Sequence, residues 1–189
     1  MQGDLLALLY LHPEGSYSLT ELARHVGSSV PGVHAEVTRL IDAGYVTDER
    51  VGNVRRIRAA TNTPVYRPLT DLLAVTFGPR PVLADLLDGV AGVQEAYIYG
   101  SWARRYAGRP GSGMPNDIDV LVVGDADLDT LDELARDAEA KLRRPVNITR
   151  LSRADWEAPE AQPFVRTVRD GDLIPIAGTP SVKTERRGA

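Results

Sequence analysis

The stretch YIYGSWARRY, residues 97–106, predicts a strand that turns sharply at Gly100-Ser101 and continues as a helix. A second stretch, NDIDVLVV, predicts a strand that carries Asp117 and Asp119 at its start. Because alternate residues of a strand point to the same face, the two carboxylates project together. Neighbouring carboxylates repel each other unless a cation lies between them, and Mg²⁺ is a cation that carboxylates and phosphates share. The sequence therefore predicts a divalent-metal site beside the Gly-Ser turn.

The composition is that of an ordinary globular protein, with 189 residues, 43% hydrophobic residues, a formal net charge of −4 and no cysteine. This length suits one large domain or two small ones. The lack of cysteine excludes disulfides and thiolate metal sites. Neither a charged-then-apolar leader nor an apolar run of membrane length is present, so we expect a cytoplasmic protein with no membrane partner. The negative charge argues against coating of nucleic acid but allows a local basic patch.

Residues 1–62 have the order helix, helix, short turn, helix and hairpin, which is typical of a winged helix-turn-helix. Ser18 and Glu21 have capping-box spacing at the start of the second helix, and the hairpin turn is predicted at 48–53. We expect the third helix to enter the major groove of double-stranded DNA, with Glu36 on its groove-facing side, and the hairpin to touch phosphates. The predicted DNA contacts are Ser28, Ser29, Gly32, His34, Arg50, Asn53, Arg55, Arg56 and Arg58.

The arginines of this segment are unevenly placed, because four of the six among residues 1–62 lie between positions 50 and 58. That asymmetry is what a phosphate-contacting wing needs. The alternative is a structural module that mediates dimerisation or a protein contact. A homodimer is expected in either case, since winged-helix regulators usually read two half-sites.

The Gly-Ser turn also has the features of a phosphate cradle. Gly100 allows close backbone approach, Ser101 adds a hydroxyl, and backbone N–H groups at a helix start favour anions. Arg104 and Arg105 lie one turn further on and can clamp phosphate oxygens. With the two aspartates as metal ligands and catalytic carboxylates, the pattern predicts a nucleoside-triphosphate site with Mg²⁺ or Mn²⁺.

Together, Gly-Ser-x-Ala-Arg and Asp-Ile-Asp-Val-Leu-Val resemble the signature of the minimal nucleotidyltransferases of the DNA-polymerase-β-like superfamily. The whole chain resembles fusions of a winged-helix regulator with such a domain. The resemblance implies an α/β (α+β) fold, in which an N-terminal winged helix-turn-helix precedes a small mixed-sheet nucleotidyltransferase fold flanked by helices. It also implies transfer of a nucleoside monophosphate from NTP to a hydroxyl group. The domains expected on this basis are a winged helix-turn-helix at 1–62, a helical bridge at 63–92, a nucleotidyltransferase-like domain at 93–178 and a flexible tail at 179–189.

One departure from the family pattern bears on catalysis. The superfamily usually carries a third acidic residue on the next core strand, and here Asn147 stands at that position. Asparagine cannot act as a base at neutral pH and is a poorer Mg²⁺ ligand than a carboxylate. The substitution favours nucleotide and metal binding over catalysis.

Three functions are consistent with the sequence. The first is a DNA-binding transcriptional regulator whose second domain binds NTP and Mg²⁺, with transfer of a nucleoside monophosphate left open. The second is an active nucleotidyltransferase, antitoxin-like or toxin-like, that modifies a protein or RNA hydroxyl and uses the winged helix for targeting or autoregulation. A toxin or antitoxin partner protein would accompany it. The third is a structural interaction protein with an inactive site.

Overall fold

The computed structural model describes residues 1–109, 111 and 113–178. The chain has the mixed α/β class that the sequence predicts, with one two-stranded and one four-stranded sheet in the described part. It divides into two compact units, one of residues 1–78 and one that begins at Pro79. The dividing point lies inside the predicted bridge at 63–92, and the predicted tail at 179–189 lies outside the described residues. None of the described helices combines the length and apolarity that a membrane span requires.

The first unit begins with three helices and a hairpin, in the order that the sequence predicts, and ends with a fourth helix that packs on the first. The helix start that the capping box predicts is confirmed, because the Ser18 backbone N–H donates to Glu21 Oε2 at 2.7 Å and the Glu21 N–H donates to Ser18 Oγ at 3.2 Å. The elements are α1 (Gln2–Leu11), α2 (Leu19–His25), α3 (Val30–Asp42), β1 (Val46–Val51), β2 (Val54–Ala59) and α4 (Tyr66–Phe77).

The hairpin is tighter than predicted. The predicted turn at 48–53 is wrong, because β1 continues through Val51 and only Gly52 and Asn53 connect it to β2. Gly52 has a φ of +61°, which a two-residue hairpin loop requires. The charged residues of β1 look turn-like in the sequence, but in the hairpin Asp48 forms an ion pair with Arg55 and Glu49 forms one with Arg58, both on β2. Cross-strand ion pairs therefore extend the strands into a segment of low intrinsic strand propensity.

The second unit is a mixed sheet with described helices before and between its strands. The strand order is β5-β4-β3-β6, in which β4 and β5 are parallel and the other pairs are antiparallel. The elements are α5 (Pro79–Leu87), β3 (Val93–Tyr99), α6 (Gly100–Tyr106), β4 (Ile118–Gly124), α7 (Leu128–Leu142), β5 (Val146–Leu151), α8 (Arg153–Glu157), a 3₁₀ turn (Pro159–Ala161), α9 (Pro163–Asp170) and β6 (Ile174–Gly178).

The strand β4 is the centre of the second unit, and its apolar run is buried as a strand covered on both faces should be. On one face, Tyr97 and Leu121 pack with Trp156, Val165 and Val168 in a single cluster. The rings of Tyr97 and Trp156 lie 5.6 Å apart. This packing attaches α8 and α9 to the sheet and so fixes the end of the sheet at which β3 stops and β4 starts.

We expect Trp156→Ala to lower the free energy of unfolding of the second unit by about 3–5 kcal/mol, because it leaves a cavity at a fully buried position. The chain's two tryptophans, Trp102 and Trp156, both lie in this unit. Urea unfolding followed by the remaining Trp102 fluorescence measures the loss. The control is Leu128→Ala, at a side chain 55% exposed, which should change the value by less than about 0.5 kcal/mol. Equal losses in both variants would contradict the expectation.

Candidate functional site

Three neighbouring strands bring their polar residues together at one edge of the four-stranded sheet. Tyr99, the last residue of β3, pairs with Asp119 near the start of β4, and Asp119 pairs with Asn147 near the start of β5. Residues paired across strands lie on the same face. The aromatic ring, the carboxylate and the amide therefore form one row across the sheet, and Asp117 lies two positions before Asp119 on β4's approach.

The carboxylates of Asp117 and Asp119 converge on the amide of Asn147. Its Nδ2 donates to Asp117 Oδ2 at 3.3 Å and to Asp119 Oδ1 at 3.2 Å. The structure thus brings together the two aspartates that the sequence predicts to act as a pair. It also brings in Asn147, whose amide lies within reach of both carboxylates.

The surroundings of Asp119 disfavour its charged form. Partial burial raises the pKa of Asp119, and the neighbouring charge of Asp117 raises it further, while the hydrogen bond from Asn147 acts in the opposite direction. A cation bound between the two carboxylates would neutralise both groups and so stabilise their charged forms.

Gly100 is required at the turn for two reasons. Its φ of +69° lies in the left-handed region, and a Cβ built there would lie 2.8 Å from Asp119 Oδ2. The start of α6 therefore lies so close to the Asp119 carboxylate that no side chain fits at Gly100.

The other predicted phosphate-binding residues lie on α6 with different exposures. Ser101 is half-buried in the first turn, directly after Gly100. Arg104 is exposed and lines a cleft that Gly100 also lines. Arg105 is half-buried, and its Nε atom lies inside the protein. Of the two arginines, Arg104 is the more exposed and the one that lines the cleft.

The cleft beside the site is a feature that sequence reasoning missed. It has a volume of about 910 Å³ and lies between the end of β3 and α9, with walls that include Tyr99, Phe164 and Asp172. The rings of Tyr99 and Phe164 meet edge to face, with centroids 6.0 Å apart. Burial raises the pKa of Tyr99, as do the charges of Asp119 and Asp117, while a hydrogen bond with Thr149 acts against them. The aromatic residues at the end of β3 indicate one wall of the cleft in the sequence, but nothing there indicates that Phe164 completes it.

The residues that fit a divalent cation are Asp117 and Asp119, because their oxygens converge on one amide group. In the described residues there is no cluster of three or more His, Cys, Asp or Glu side chains that could hold a metal ion. A metal at this edge of the sheet would thus have two protein carboxylates and would complete its coordination with ligand or solvent oxygens.

The predicted wing arginines are mostly paired with carboxylates of their own unit. Arg55 Nε lies 2.6 Å from Asp48 Oδ2, and Arg56 Nη1 lies 2.7 Å from Glu21 Oε2. Arg58 is paired with Glu49. Arg50, which is exposed, has no ion-pair partner among the described residues, and Asn53 is exposed in the turn.

The predicted contacts on and before α3 are partly engaged in local structure. Ser29 Oγ accepts the Gly32 N–H at 3.3 Å as the helix cap, and Ser28 Oγ donates to Met1 Sδ at 3.2 Å. His34 is exposed. The expectation for Glu36 is wrong, because its side chain is only 2% exposed and pairs with Arg39 rather than facing a groove.

Comparison with known proteins gives partial structural likenesses. The chain matches no protein-family model and no curated protein sequence. A mutant MntA-HpeT toxin-antitoxin crystal structure is 20% identical, with a TM-score of 0.39, over 53% of this chain and 73% of that chain. Tri-AMPylated Shewanella oneidensis HEPN toxin with MNT antitoxin is 21% identical, with a TM-score of 0.36, over 53% of this chain and 71% of that chain. The archaeal chromatin protein TrmBL2 is 13% identical, with a TM-score of 0.26, over 87% of this chain and 71% of that chain. With TM-scores this low, the function has to be inferred from the site itself.

We expect the folded protein to titrate Asp119 above the ordinary value of 3.8. Asp117→Asn should lower this pKa, because it removes the neighbouring charge. Asn147→Ala should raise it, because it removes a hydrogen bond to the charged form. Carboxyl ¹³C NMR titration without divalent cations measures the pKa of Asp119 in the natural protein and in both variants. The two variants are required to shift this pKa in opposite directions.

The same pKa shift has a stability consequence with a defined sign. A carboxyl whose pKa rises on folding stabilises the folded state below its unfolded pKa, and that contribution is lost as pH rises through the folded pKa. Asp119→Asn should therefore stabilise the second unit at neutral pH, with a gain that shrinks below about pH 4. Urea unfolding at both pH values checks this, and a gain that grows on acidification would contradict it.

Proposed function

We propose that the second unit binds a nucleoside triphosphate together with Mg²⁺ or Mn²⁺, and that the first unit binds double-stranded DNA. The protein would be a transcriptional regulator whose DNA binding responds to the nucleotide. The observation that carries the nucleotide proposal is the convergence of Asp117 and Asp119 on Asn147, beside a Gly100 that has no room for a side chain. A homodimer fits this function, because two copies of the first unit would read two half-sites.

The metal part of the proposal follows from charge. Two adjacent carboxylates, one of them with a raised pKa, are stabilised in their ionised forms by a hard cation. Asn147 would present its amide oxygen to the cation after rotation of the amide group, as a neutral third ligand. A metal ion bound in this way would neutralise negative charge on the triphosphate.

The phosphate part follows from the turn. Gly100 lacks a side chain where a phosphate would approach, and Ser101 adds a hydroxyl beside it. Arg104 lines the adjoining cleft and carries a charge opposite to that of phosphate. Arg105 has a more buried position, so we assign it a supporting role through electrostatic attraction.

Binding is favoured over transfer because the residue opposite Asp119 is an amide. Transfer to a hydroxyl group requires a base that accepts its proton, and the neutral Asn147 side chain cannot do so. The second candidate, an active nucleotidyltransferase acting on a partner protein or an RNA hydroxyl, is favoured by the volume of the cleft. At about 910 Å³ it lies near the upper end of ordinary ligand pockets, which leaves room for an acceptor.

We expect isothermal titration calorimetry with MgCl₂ and each of ATP, GTP, CTP and UTP to detect binding of at least one nucleotide. Asp117→Asn and Asp119→Asn should weaken it by at least about 10- to 100-fold, the loss that even outer-shell changes at metal sites cause. Asp125→Asn is the charge-matched control, since Asp125 is exposed just past β4. Equal nucleotide affinity in the natural protein and all three variants would refute the proposal.

A second pair of variants separates backbone strain from disruption of the site. Gly100→Ala and Gly108→Ala both place a side chain at positive φ, +69° and +75°, but a Cβ has open space at Gly108. Only Gly100→Ala should reduce nucleotide affinity, because only there does the Cβ press on Asp119.

The choice between sensor and enzyme is tested with α-labelled NTP. We expect the natural protein to bind without transferring label, and Asn147→Asp to tighten metal binding by supplying a third carboxylate. Label transferred by the natural protein to itself, to RNA or to a co-purified toxin or antitoxin partner, and abolished by Asp119→Asn, would favour the second candidate. Asp125→Asn again serves as the control.

The DNA part of the proposal rests on the order of elements in the first unit and on exposed polar residues of α3 and the wing. Arg50 is the wing arginine best able to contact phosphate, because Arg55, Arg56 and Arg58 would first have to leave their carboxylate partners. Asn53 lies beside it in the turn. A contact with another protein is the alternative for this surface.

We expect Arg50→Ala to weaken binding to duplex DNA of random sequence and to reduce the slope of log K against log salt by about 1. Fluorescence anisotropy between low and moderate salt measures both. Arg67→Ala, at an exposed arginine of α4, is the control and should change neither. Neutralising Arg55 and Arg56 together adds a second test, and an unchanged affinity and slope in every variant would refute DNA contact by the wing.

A further inference from the structure

The cleft between the end of β3 and α9 has an aromatic wall directly beside the carboxylate pair. Phe164 keeps 41% of its surface exposed, although the neighbouring Val165 and Val168 of α9 are buried in the core. Its ring meets that of Tyr99 edge to face at 6.0 Å. The exposed part of Phe164 therefore belongs to a wall of two rings rather than to an isolated surface residue.

The cleft is continuous with the metal and phosphate site. Tyr99 and Gly100 line it, and the same residues adjoin Asp119, Tyr99 through strand pairing and Gly100 through its direct approach. A ligand held by its phosphates at Gly100 consequently has the cleft as the adjacent space for the rest of the molecule.

The polar lining of the cleft is mixed in sign. Arg104, Arg109 and Arg169 contribute positive charge, while Asp170 and Asp172 contribute carboxylates. Arg109 and Asp172 neutralise each other through an ion pair of 2.9 Å. A pocket built only for polyphosphate would be cationic throughout, whereas carboxylates accept hydrogen bonds from the N–H groups of a base.

We propose that the cleft is the nucleobase subsite, in which the base of the bound nucleotide packs against Phe164 with its phosphates toward Gly100 and Arg104. This inference rests on the proposed nucleotide function of the same site and adds the part of the ligand that α9 recognises. Base–aromatic stacking accepts every base, since each has a π-face. Phe164 would thus contribute affinity for nucleosides in general, and the polar groups of the cleft would select among them.

The test compares a nucleotide with inorganic tripolyphosphate, which carries the phosphates without a base. Calorimetry is carried out on the full chain with MgCl₂, using the tightest-binding of the four NTPs and tripolyphosphate as the two probes. We expect Phe164→Ala to weaken NTP binding by about 5- to 100-fold and to leave tripolyphosphate binding unchanged. Phe164→Tyr, which keeps the ring, should retain NTP affinity.

Arg166→Ala is the matched control, because Arg166 lies on α9 beside the cleft residues and forms only an exposed pair with Glu160 at 3.8 Å among the described residues. It should change the binding of neither probe. Equal losses for both probes in Phe164→Ala, or no loss for NTP, would overturn the base subsite while leaving the proposed function intact. If the natural protein binds neither probe, the proposed function fails, and the subsite fails with it.

Discussion

The second unit depends on one constraint, the repulsion between two carboxylates. One lies just before β4 and the other lies at its start. Asp117 directly precedes β4 and Asp119 is its second residue, so the two carboxylates lie close together, and Asp119 is partly withdrawn from water. The amide of Asn147 offsets part of the cost through two hydrogen bonds. A site that is poorly satisfied without its ligand is typical of function, since residues chosen for stability alone would not place like charges there.

The parts of this arrangement that depend on local pattern were predictable from the sequence. The alternation of a strand predicted that the two aspartates project together, although β4 begins only at Ile118, and Gly100 indicated a turn with unusual backbone geometry. These two expectations need only short-range rules. The place of Asn147 at the site came from the family resemblance, and the register of β4 and β5 puts it opposite Asp119.

The cleft could not be predicted in this way. Phe164 lies more than 60 positions after Tyr99 in the chain, and nothing in its own segment indicates which ring it meets. Its position depends on the packing of Trp156 and Val165 under the sheet, which is a tertiary property. The hairpin shows the same limit, because the charged residues of β1 favour a turn locally and a strand only once their partners on β2 are known.

The β1–β2 hairpin also shows why a count of arginines overstates the positive charge of a surface. Cross-strand and inter-element ion pairs cancel much of the charge that the sequence concentrates between positions 50 and 58. Electrostatic attraction at a distance depends on this summed charge, whereas close contact depends on the side chains that remain exposed. The surface is thus better suited to recognition at short range than to steering from afar.

The residue that satisfies the carboxylate pair has a genetic consequence. The codons for asparagine and aspartate differ by a single base, so the position on β5 that faces Asp119 can change between a neutral amide and a carboxylate in one mutational step. Because this side chain is exposed and lies at the edge of the core, such a step leaves the packing of the sheet unchanged. A single-base change therefore exchanges an amide that donates to both aspartates for a third carboxylate that repels them.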